Sequence, residues 1–282
     1  MKTQFLNLEN YQELMGRLND IGQMCPFMKG FKSNLNNILS ELHKFETVKL
    51  SVQARNDLSI WSNFIEDCTG WQPIAGPYKG IPLGVKSFTS DAAGHAKSLK
   101  VMDRLGCGNV GFSSDGHVIF ATQVFWPEGI LNVARDSKNC RLGDKTTTLE
   151  FLGILLPFLL VPESLKNQHV VVKVDNVGCY YGWLNRQVKG DKMASVLVRV
   201  LHLISAFLGC FIHIEHLPRN SSWDAMLVDR LSRSLTTTVM DRKLLASFVL
   251  PDLPDSLVSW MEDPSEDWVL PNRILAHVMS MV

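Results

Sequence analysis

Apolar residues recur at helical spacing in three segments that cover about the first 70 positions of the chain. The segments are LENYQELMGRLNDIG, GFKSNLNNILSELHKF and SVQARNDLSIWSNFIEDC, and Ser51 stands where the third helix would need an N-cap. The next stretch, GWQPIAGPYKGIPLG, is dense in glycine and proline and is typical of a linker or domain boundary. The pattern therefore predicts a helical segment over residues 1–72, followed by a change of architecture.

After this boundary, short extended runs alternate with helical ones. A strand is predicted from Val85 to Asp91, and the glycine-rich RLGCGNVGF, the turn SSDG and the extended run HVIFATQVFW predict a β-hairpin. The chain continues with a helix opened by Glu150, the strand HVVVKV, a long helix around MASVLVRVLHLISAFLG, the strand CFIHIEHL and a helix near SSWDAMLVDRLSR. This order predicts an α/β domain over residues 73–234, with a mixed sheet flanked by helices. Residues 235–282 are predicted to form a peripheral tail with one or two short helices.

Composition restricts the possible functions. The chain has 282 residues with 28 basic and 28 acidic side chains, so its formal net charge is zero. Proteins that hold nucleic acid by electrostatics alone usually have a basic excess, so phosphate binding here would depend on local patches and metal ions. The six cysteines form no CxxC pair, and the polar N-terminal sequence has no signal-peptide pattern. We therefore expect reduced thiols, no zinc site and an intracellular location, in the nucleus or cytoplasm.

The longest apolar run, residues 151–161, bears on membrane association. It is shorter than the ~20 residues that a helix needs to span a bilayer. Glycine and proline also interrupt it. We expect a buried core helix at this position and no membrane partner.

Four acidic residues lie at strand ends and in helices, where side chains from different elements can converge. Strand parity places Asp91 on one face of its strand and Asp175 on one face of another. If the two strands are neighbours, the two aspartates meet at adjacent strand ends. A helix that begins at Glu150 would lie across the face that bears them. Asp229 belongs to the last predicted helix. Converging carboxylates repel one another unless cations neutralise them, and oxygen ligands suit Mg²⁺ or Mn²⁺. Two such ions ~3.5–4 Å apart would activate a water and stabilise the leaving oxygen in phosphodiester cleavage, which predicts a nuclease.

Each of these acids also has a structural explanation. Asp91 and Asp175 stand directly before turn-like sequences, Ala-Ala-Gly and Asn. Glu150 completes a capping box with the threonine three positions before it. Asp229 stands four positions before an arginine and fits a helical ion pair. Singly, each acid is explained by local structure; together, the four favour a metal site.

Four segments resemble the ribonuclease H domain of retroelement reverse transcriptases: FTSDAAG, TTTLEFLGIL, VVVKVDN and EHLPRNSSWDAMLVDRLSR. The likeness is greatest to DIRS-type, tyrosine-recombinase-encoding retrotransposons, whose A-D-x-L-S-R signature resembles VDRLSR, with Val228 in place of alanine. LMGRLNDIGQMCP and KLSVQARNDLSIWSNFI resemble the helical connection that precedes ribonuclease H in such polyproteins. The resemblance covers roughly residues 8–233. It implies an α/β, ribonuclease H-like fold: a mixed five-stranded sheet with its first three strands antiparallel, flanked by helices and preceded by the helical segment.

The resemblance also implies a role for each acid. Asp91 would bridge two Mg²⁺ ions, for which Mn²⁺ would substitute. Glu150 and Asp175 would hold the ion on the leaving-group side, and Asp229 would help to hold the ion that activates the attacking water. His216 would assist product release or proton transfer, although it lies farther from Asp229 in the sequence than is usual in the family. A strand-end histidine without a catalytic role is the alternative.

Other assignments have competing explanations. Asp224 competes with Asp229 as the fourth metal ligand; Ser221, three residues earlier, makes Asp224 a natural capping acid, whereas the LSR sequence favours Asp229. The candidates for contact with the nucleic-acid backbone are Asn176, Lys189, Lys192 and Arg199. The alternatives are that the asparagine only forms a turn and that the basic residues are solvated surface charges.

The resemblance implies an endonuclease that hydrolyses the RNA strand of RNA–DNA hybrids and leaves 5′-phosphate and 3′-hydroxyl ends. The sequence contains no adjacent Asp-Asp pair of the kind found in polymerase palms and no recombinase domain, so we expect no polymerase activity. We expect a polyprotein fragment, a truncated copy or a free-standing derivative, with the hybrid and a polymerase domain or parent polyprotein as partners. One alternative is a catalytically inactive, retroelement-derived module that binds nucleic acid or a polymerase. Another is a different nuclease with the same fold, such as an integrase or resolvase.

Overall fold

The computed structural model describes residues 5–24, 26–67, 86–94, 104–135, 146–218, 221–233, 237–248, 250–264 and 274. The chain divides into two compact units, Met1–Pro77 and Tyr78–Val282. The whole segment predicted as a linker, residues 70–84, and the predicted strand start at Val85 lie outside the described residues. No helix in the described part of the chain is long and apolar enough to cross a membrane.

The first unit consists of helices and a small antiparallel sheet. Its helices are α1 (Leu8–Met24), α2 (Ser33–Asn36), α3 (Leu39–Leu42) and α4 (Val52–Asp67), with a 3₁₀ helix at Pro26–Lys32. The sheet pairs β1 (Phe5–Asn7) with β2 (Thr47–Lys49), two three-residue strands that the sequence pattern did not predict. The predicted cap of α4 is confirmed, because Ser51 Oγ accepts a hydrogen bond from the Ala54 amide at 3.1 Å.

The second predicted helix is interrupted in the structure. GFKSNLNNILSELHKF forms the end of the 3₁₀ helix and two helices of about one turn each, α2 and α3. Its serine and asparagines compete for backbone hydrogen bonds and weaken a continuous helix. The segment still buries Leu35 and Leu42, so the apolar spacing correctly identified the residues that face the core.

A mixed five-stranded sheet lies at the centre of the second unit. Its strands are β3 (Lys86–Ala92), β4 (Gly106–Phe112), β5 (Val118–Phe125), β6 (His169–Val174) and β7 (Phe211–His216). The spatial order is β5-β4-β3-β6-β7; β3, β4 and β5 are antiparallel, whereas β6 is parallel to β3 and β7 is parallel to β6. The predicted hairpin and the mixed sheet with three antiparallel strands are therefore confirmed.

Helices cover both faces of this sheet. They are α5 (Glu128–Arg135), α6 (Thr146–Leu160), α7 (Pro162–Leu165), α8 (Val177–Asn185), α9 (Lys192–Leu208), α10 (Trp223–Leu231), α11 (Val239–Ala246) and α12 (Asp255–Glu262). The largest core packs α6 and α9 against one face, and a smaller apolar cluster packs α10 against β4 on the other face. Leu257 and Trp260 of α12 belong to the larger core, so the C-terminal helices are part of the second unit.

Two glycines allow α6 and α10 to approach the sheet closely. A Cβ atom at Gly153 in α6 would lie 2.9 Å from Ser90 Oγ on β3. A Cβ atom at Gly108 on β4 would lie 2.8 Å from the carbonyl oxygen of Val228 in α10. Any larger side chain at these positions would push the helix outward, and each of these helices holds one of the candidate acids.

Helix α8 was not predicted. Its sequence, VGCYYGWLN, contains two glycines, one valine and three aromatic residues, which are weak helix formers. The helix is nevertheless capped at both ends: Asn176 Oδ1 accepts a hydrogen bond from the Cys179 amide at 3.2 Å, and Arg186 adopts the left-handed conformation after the last turn. Capping and packing therefore outweigh the low propensity of this segment.

Candidate metal centre

Three of the four predicted acids converge at the carboxyl ends of β3 and β6. The two strands are parallel neighbours, as the sequence analysis required, and their register pairs Ser90 with Val174. The residues that follow, Asp91 and Asp175, are therefore adjacent at the same edge of the sheet. One carboxylate oxygen each from Asp91, Glu150 and Asp175 lies within 4.8 Å of the others.

Glu150 reaches this cluster from a direction that the sequence did not predict. Asp91 and Thr89 point towards α10, whereas Phe88 points to the opposite face and packs against a phenylalanine of α6, with ring centroids 5.7 Å apart. Helix α6 therefore does not lie across the face that bears Asp91, which corrects the prediction. The capping box is also wrong, because α6 begins at Thr146 and Glu150 lies in its second turn, 3% exposed.

The environment of Asp91 makes its ionisation less favourable than that of an ordinary carboxyl when no cation is present. The pKa of Asp91 is raised to about 6, and burial is the largest cause. A hydrogen bond from Ser232 Oγ to Asp91 Oδ2, 2.6 Å long, opposes this change. The charges of Asp175 and Asp229 contribute to the raised pKa, and that of Arg233 opposes it. A divalent cation at this position would reverse the balance and favour the ionised carboxylate.

The raised pKa of Asp91 predicts a pH-dependent stability in the metal-free protein. The pKa of about 6 in the folded chain exceeds the ordinary value of 3.8, so ionising Asp91 costs free energy only in the folded state. This cost is present above about pH 6 and is lost as the pH falls towards about 4, which raises the free energy of unfolding by about 2–3 kcal/mol.

Urea unfolding with a chelator, at several pH values, would measure this effect by comparing wild type with Asp91→Asn. The variant lacks the titrating carboxyl, so it should be the more stable protein at pH 7, and the difference should shrink by about 2–3 kcal/mol towards pH 4. An identical pH dependence in both proteins would contradict the assignment of the raised pKa to Asp91.

The fourth acid, Asp229, faces the same cleft from α10. The cleft is lined by Thr89, Ser90, Asp91, Asp175, Leu217, Ala225, Val228 and Asp229. Asp229 also forms an ion pair with the Arg233 guanidinium, as the helical spacing predicted. The structural and the functional explanation of this acid are thus compatible, since one carboxylate both lines the cleft and pairs with Arg233.

Asp224 has a different environment. Thr89 Oγ1 donates a 2.6 Å hydrogen bond to Asp224 Oδ2, and Lys173 Nζ lies 3.9 Å from the same oxygen. Burial raises the pKa of Asp224, but hydrogen bonds from Ser222 and Thr89 and the charge of Lys173 outweigh burial and lower it overall. Ser222 caps α10, one residue later than predicted. These contacts tie the start of α10 to β3 and β6, so the geometry favours Asp229 as the fourth acid of the cleft.

His216 and Asn176 make local structural contacts. His216 is exposed at the end of β7, and its Nε2 lies 3.2 Å from the carbonyl oxygen of Asp175. It therefore supports the loop that bears Asp175 and matches the strand-end alternative. Asn176 caps α8, as described above, which matches the turn alternative.

The predicted phosphate contacts differ in accessibility. Lys189 and Lys192 are exposed near the start of α9 and are accessible to an anionic ligand. Arg199 is only 3% exposed, so the prediction that it contacts phosphate is wrong for this conformation. Its helix is apolar on nearly every side and is buried from Val196 to Leu201, which prevents a residue at this position from reaching solvent.

The available donor atoms suit a hard cation. Two buried thiols lie near the three carboxylates, and burial and the charge of Glu150 raise the pKa of both Cys107 and Cys179. Both thiols therefore remain protonated, and the groups that could hold a metal ion are carboxylate oxygens. Oxygen donors of this kind favour Mg²⁺ or Mn²⁺ over softer ions.

Ser232 is a residue of this site that the sequence analysis did not identify. Its hydroxyl, just past the end of α10, donates a hydrogen bond that fixes Asp91, and only the S of VDRLSR in the sequence pointed to this position. Comparison of the sequence with models of known protein families and with curated proteins finds no match.

Proposed function

We propose that this chain is a metal-dependent endonuclease of ribonuclease H type that hydrolyses the RNA strand of RNA–DNA hybrids. The observation that supports the proposal is the convergence of the Asp91, Glu150 and Asp175 carboxylates at the ends of two parallel strands. The antiparallel arrangement of β3, β4 and β5, and the order Asp, Glu, Asp, Asp along the chain, agree with the proposal. The substrate class comes from the resemblance of VDRLSR and its companion segments to retroelement ribonuclease H domains.

The four acids have separable roles in this proposal. Asp91, Glu150 and Asp175 would hold one Mg²⁺, and Asp91 and Asp229 would hold a second. When bound, such a pair of ions supplies an activated water and stabilises the charge on the leaving oxygen. Ser232 holds one oxygen of Asp91 and thereby limits the rotation of the carboxylate that both ions would share.

Lys189 and Lys192 would supply positive charge for the substrate backbone. Both are exposed, and the formal net charge of the chain is zero. Binding would then depend on a few phosphate contacts and on the metal ions, and it would weaken as the salt concentration rises.

The experiment that tests the proposal offers the purified chain and Mg²⁺ one labelled sequence in three forms: RNA–DNA hybrid, duplex RNA and duplex DNA. We expect cleavage of the RNA strand of the hybrid only, and no extension of a primer. Tight binding of the hybrid without cleavage would contradict the proposal and favour an inactive nucleic-acid-binding module. Cleavage of duplex DNA or of a DNA junction would instead favour a nuclease of the integrase or resolvase kind.

A further inference from the structure

Arg233 lies at the edge of the cleft, beside two of the candidate ligands. Its guanidinium forms an ion pair with the Asp229 carboxylate and also donates to the Asp229 backbone carbonyl at 3.2 Å. Its charge acts on Asp91 as well, where it opposes the rise in pKa that burial causes. One arginine thus neutralises the part of the site where Asp91 and Asp229 would share a cation.

The other part of the site has a different charge balance. The oxygens of Asp91, Glu150 and Asp175 lie within 4.8 Å of one another, so three acidic groups meet in a small volume. A divalent ion entering among them relieves mutual repulsion. A divalent ion that approaches Asp229 instead meets a carboxylate that already interacts with a guanidinium, and two cations this close repel each other.

We propose that Arg233 is the internal counter-ion of the Asp91–Asp229 half of the site, and that the second divalent ion binds in competition with it. This inference rests on the proposed function. The first ion binds to Asp91, Glu150 and Asp175, and the second binds more weakly because the Arg233 side chain must move away from Asp229. Arg233 is therefore a residue that sets the order and the affinity of metal binding, and its own role is not catalytic.

The position of Arg233 in the fold allows this movement. Helix α10 ends at Leu231, and the backbone of Arg233 forms an isolated β-bridge with Leu105. The amide of Gly106 also donates to the carbonyl of Ser232 at 2.9 Å. The backbone at this point is held by β4, so the side chain of Arg233 can change rotamer without unwinding the helix.

A second arginine of α10 provides a contrast. Arg230 makes two 2.9 Å hydrogen bonds to the carboxylate of Asp241, which completes the capping box at the start of α11. The guanidinium of Arg230 therefore joins two helices. A two-pronged pair of this kind fixes the guanidinium in one geometry. The pair of Arg233 with Asp229 lies within one stretch of chain and is about 30% exposed, with 28% for the arginine and 31% for the aspartate side chain. It is the pair that can open to admit a metal ion.

The test counts bound Mn²⁺ by the electron paramagnetic resonance signal of the free ion, for the full chain without nucleic acid. We expect wild type to bind one ion tightly and one weakly. Arg233→Gln and Arg233→Met should each tighten the weak class by about two- to fivefold, as loss of a competing surface ion pair allows, and should leave the tight class unchanged. Arg233→Lys retains the charge and should resemble wild type.

Arg17→Gln is the matched control. Arg17 forms the same kind of ion pair, four positions from Glu13, on α1 of the first unit, and the variant removes the same charge. It should leave both classes of site unchanged. Thermal unfolding of each metal-free variant checks that it is folded.

The outcomes separate the inference from the proposed function. Two classes of bound Mn²⁺ in wild type, with no tightening or with weakening in both neutral variants, would overturn the role of Arg233 and leave the nuclease proposal intact. A folded wild-type protein that binds no Mn²⁺ would overturn the metal site itself, and the inference with it.

Discussion

The Asp91→Asn variant is expected to cleave the RNA strand of a hybrid at least about 10³-fold more slowly than wild type, a loss of about 4 kcal/mol of transition-state stabilisation. Asp91 is the acid that both ions would share, because it lies beside Glu150 and Asp175 and lines the same cleft as Asp229. Asparagine has nearly the same shape and keeps a carbonyl oxygen for the Ser232 hydroxyl. The substitution therefore removes charge with little change in packing. Single-turnover cleavage in saturating Mg²⁺ measures the effect.

The stability of Asp91→Asn provides the control. Since the buried carboxylate is unfavourable without a cation, the metal-free variant should unfold at a higher urea concentration than wild type at neutral pH. A protein that is at least as stable and yet inactive has lost chemistry and kept its fold. Activity above about a tenth of wild type would contradict the role of Asp91 as the shared ligand.

Asp229→Asn is expected to lower mainly the cleavage rate, and Asp224→Asn mainly the stability, although the two acids are five positions apart on one helix. Asp229→Asn should lower the cleavage rate by about 10²-fold or more, since a ligand of the water-activating ion is lost. Its stability should change by less than about 1 kcal/mol, because the ion pair with Arg233 is partly exposed. Cleavage kinetics and urea unfolding of both variants test this pair of expectations.

Asp224→Asn should mainly affect stability. The carboxylate accepts a hydrogen bond from Thr89 and faces Lys173 while being buried, so loss of its charge should cost about 1–3 kcal/mol. Its cleavage rate in saturating Mg²⁺ should fall less than tenfold, because Asp224 supports α10 and does not line the cleft. An inactive but fully stable Asp224→Asn protein, beside an active Asp229→Asn protein, would reverse the assignment of the fourth ligand.

Much of the central sheet follows from local sequence features. The turn SSDG between two extended runs predicted the β4–β5 hairpin, and the period-2 pattern placed Asp91 and Asp175 on the correct faces of their strands. The metal-site hypothesis required β3 and β6 to be neighbours, and the structure pairs them in parallel. The hairpin and the strand faces were predictable because each depends on residues that are close together in the sequence. The pairing of β3 with β6 joins distant parts of the chain and was an assumption of the hypothesis.

The errors concern features that tertiary packing determines. Helix α8 consists of weak helix formers and is stabilised by its caps and neighbours, so periodicity did not indicate it. Arg199 looks like a surface residue in the sequence, yet its helix is buried on almost every side. Nothing in the sequence indicated on which face of the sheet α6 would pack, although that face determines how Glu150 reaches the other acids.

Within the candidate site, the acids were predictable and their partners were not. The predicted strand ends and helix positions were enough to identify Asp91, Glu150, Asp175 and Asp229 from the sequence. The hydrogen bond from Ser232 to Asp91 joins residues 141 positions apart, and the one from Thr89 to Asp224 joins residues 135 apart. Contacts over such separations depend on how α10 packs against β3 and β4, which the sequence pattern does not specify.

The most direct test of the central claim is cleavage of a labelled RNA–DNA hybrid by the purified chain with Mg²⁺, beside the Asp175→Asn variant. We expect wild type to cut the RNA strand, a chelator to stop the reaction, and Asp175→Asn to be folded but inactive. Cleavage by the variant at the wild-type rate, or a folded wild-type protein that binds the hybrid without cutting it, would contradict the account.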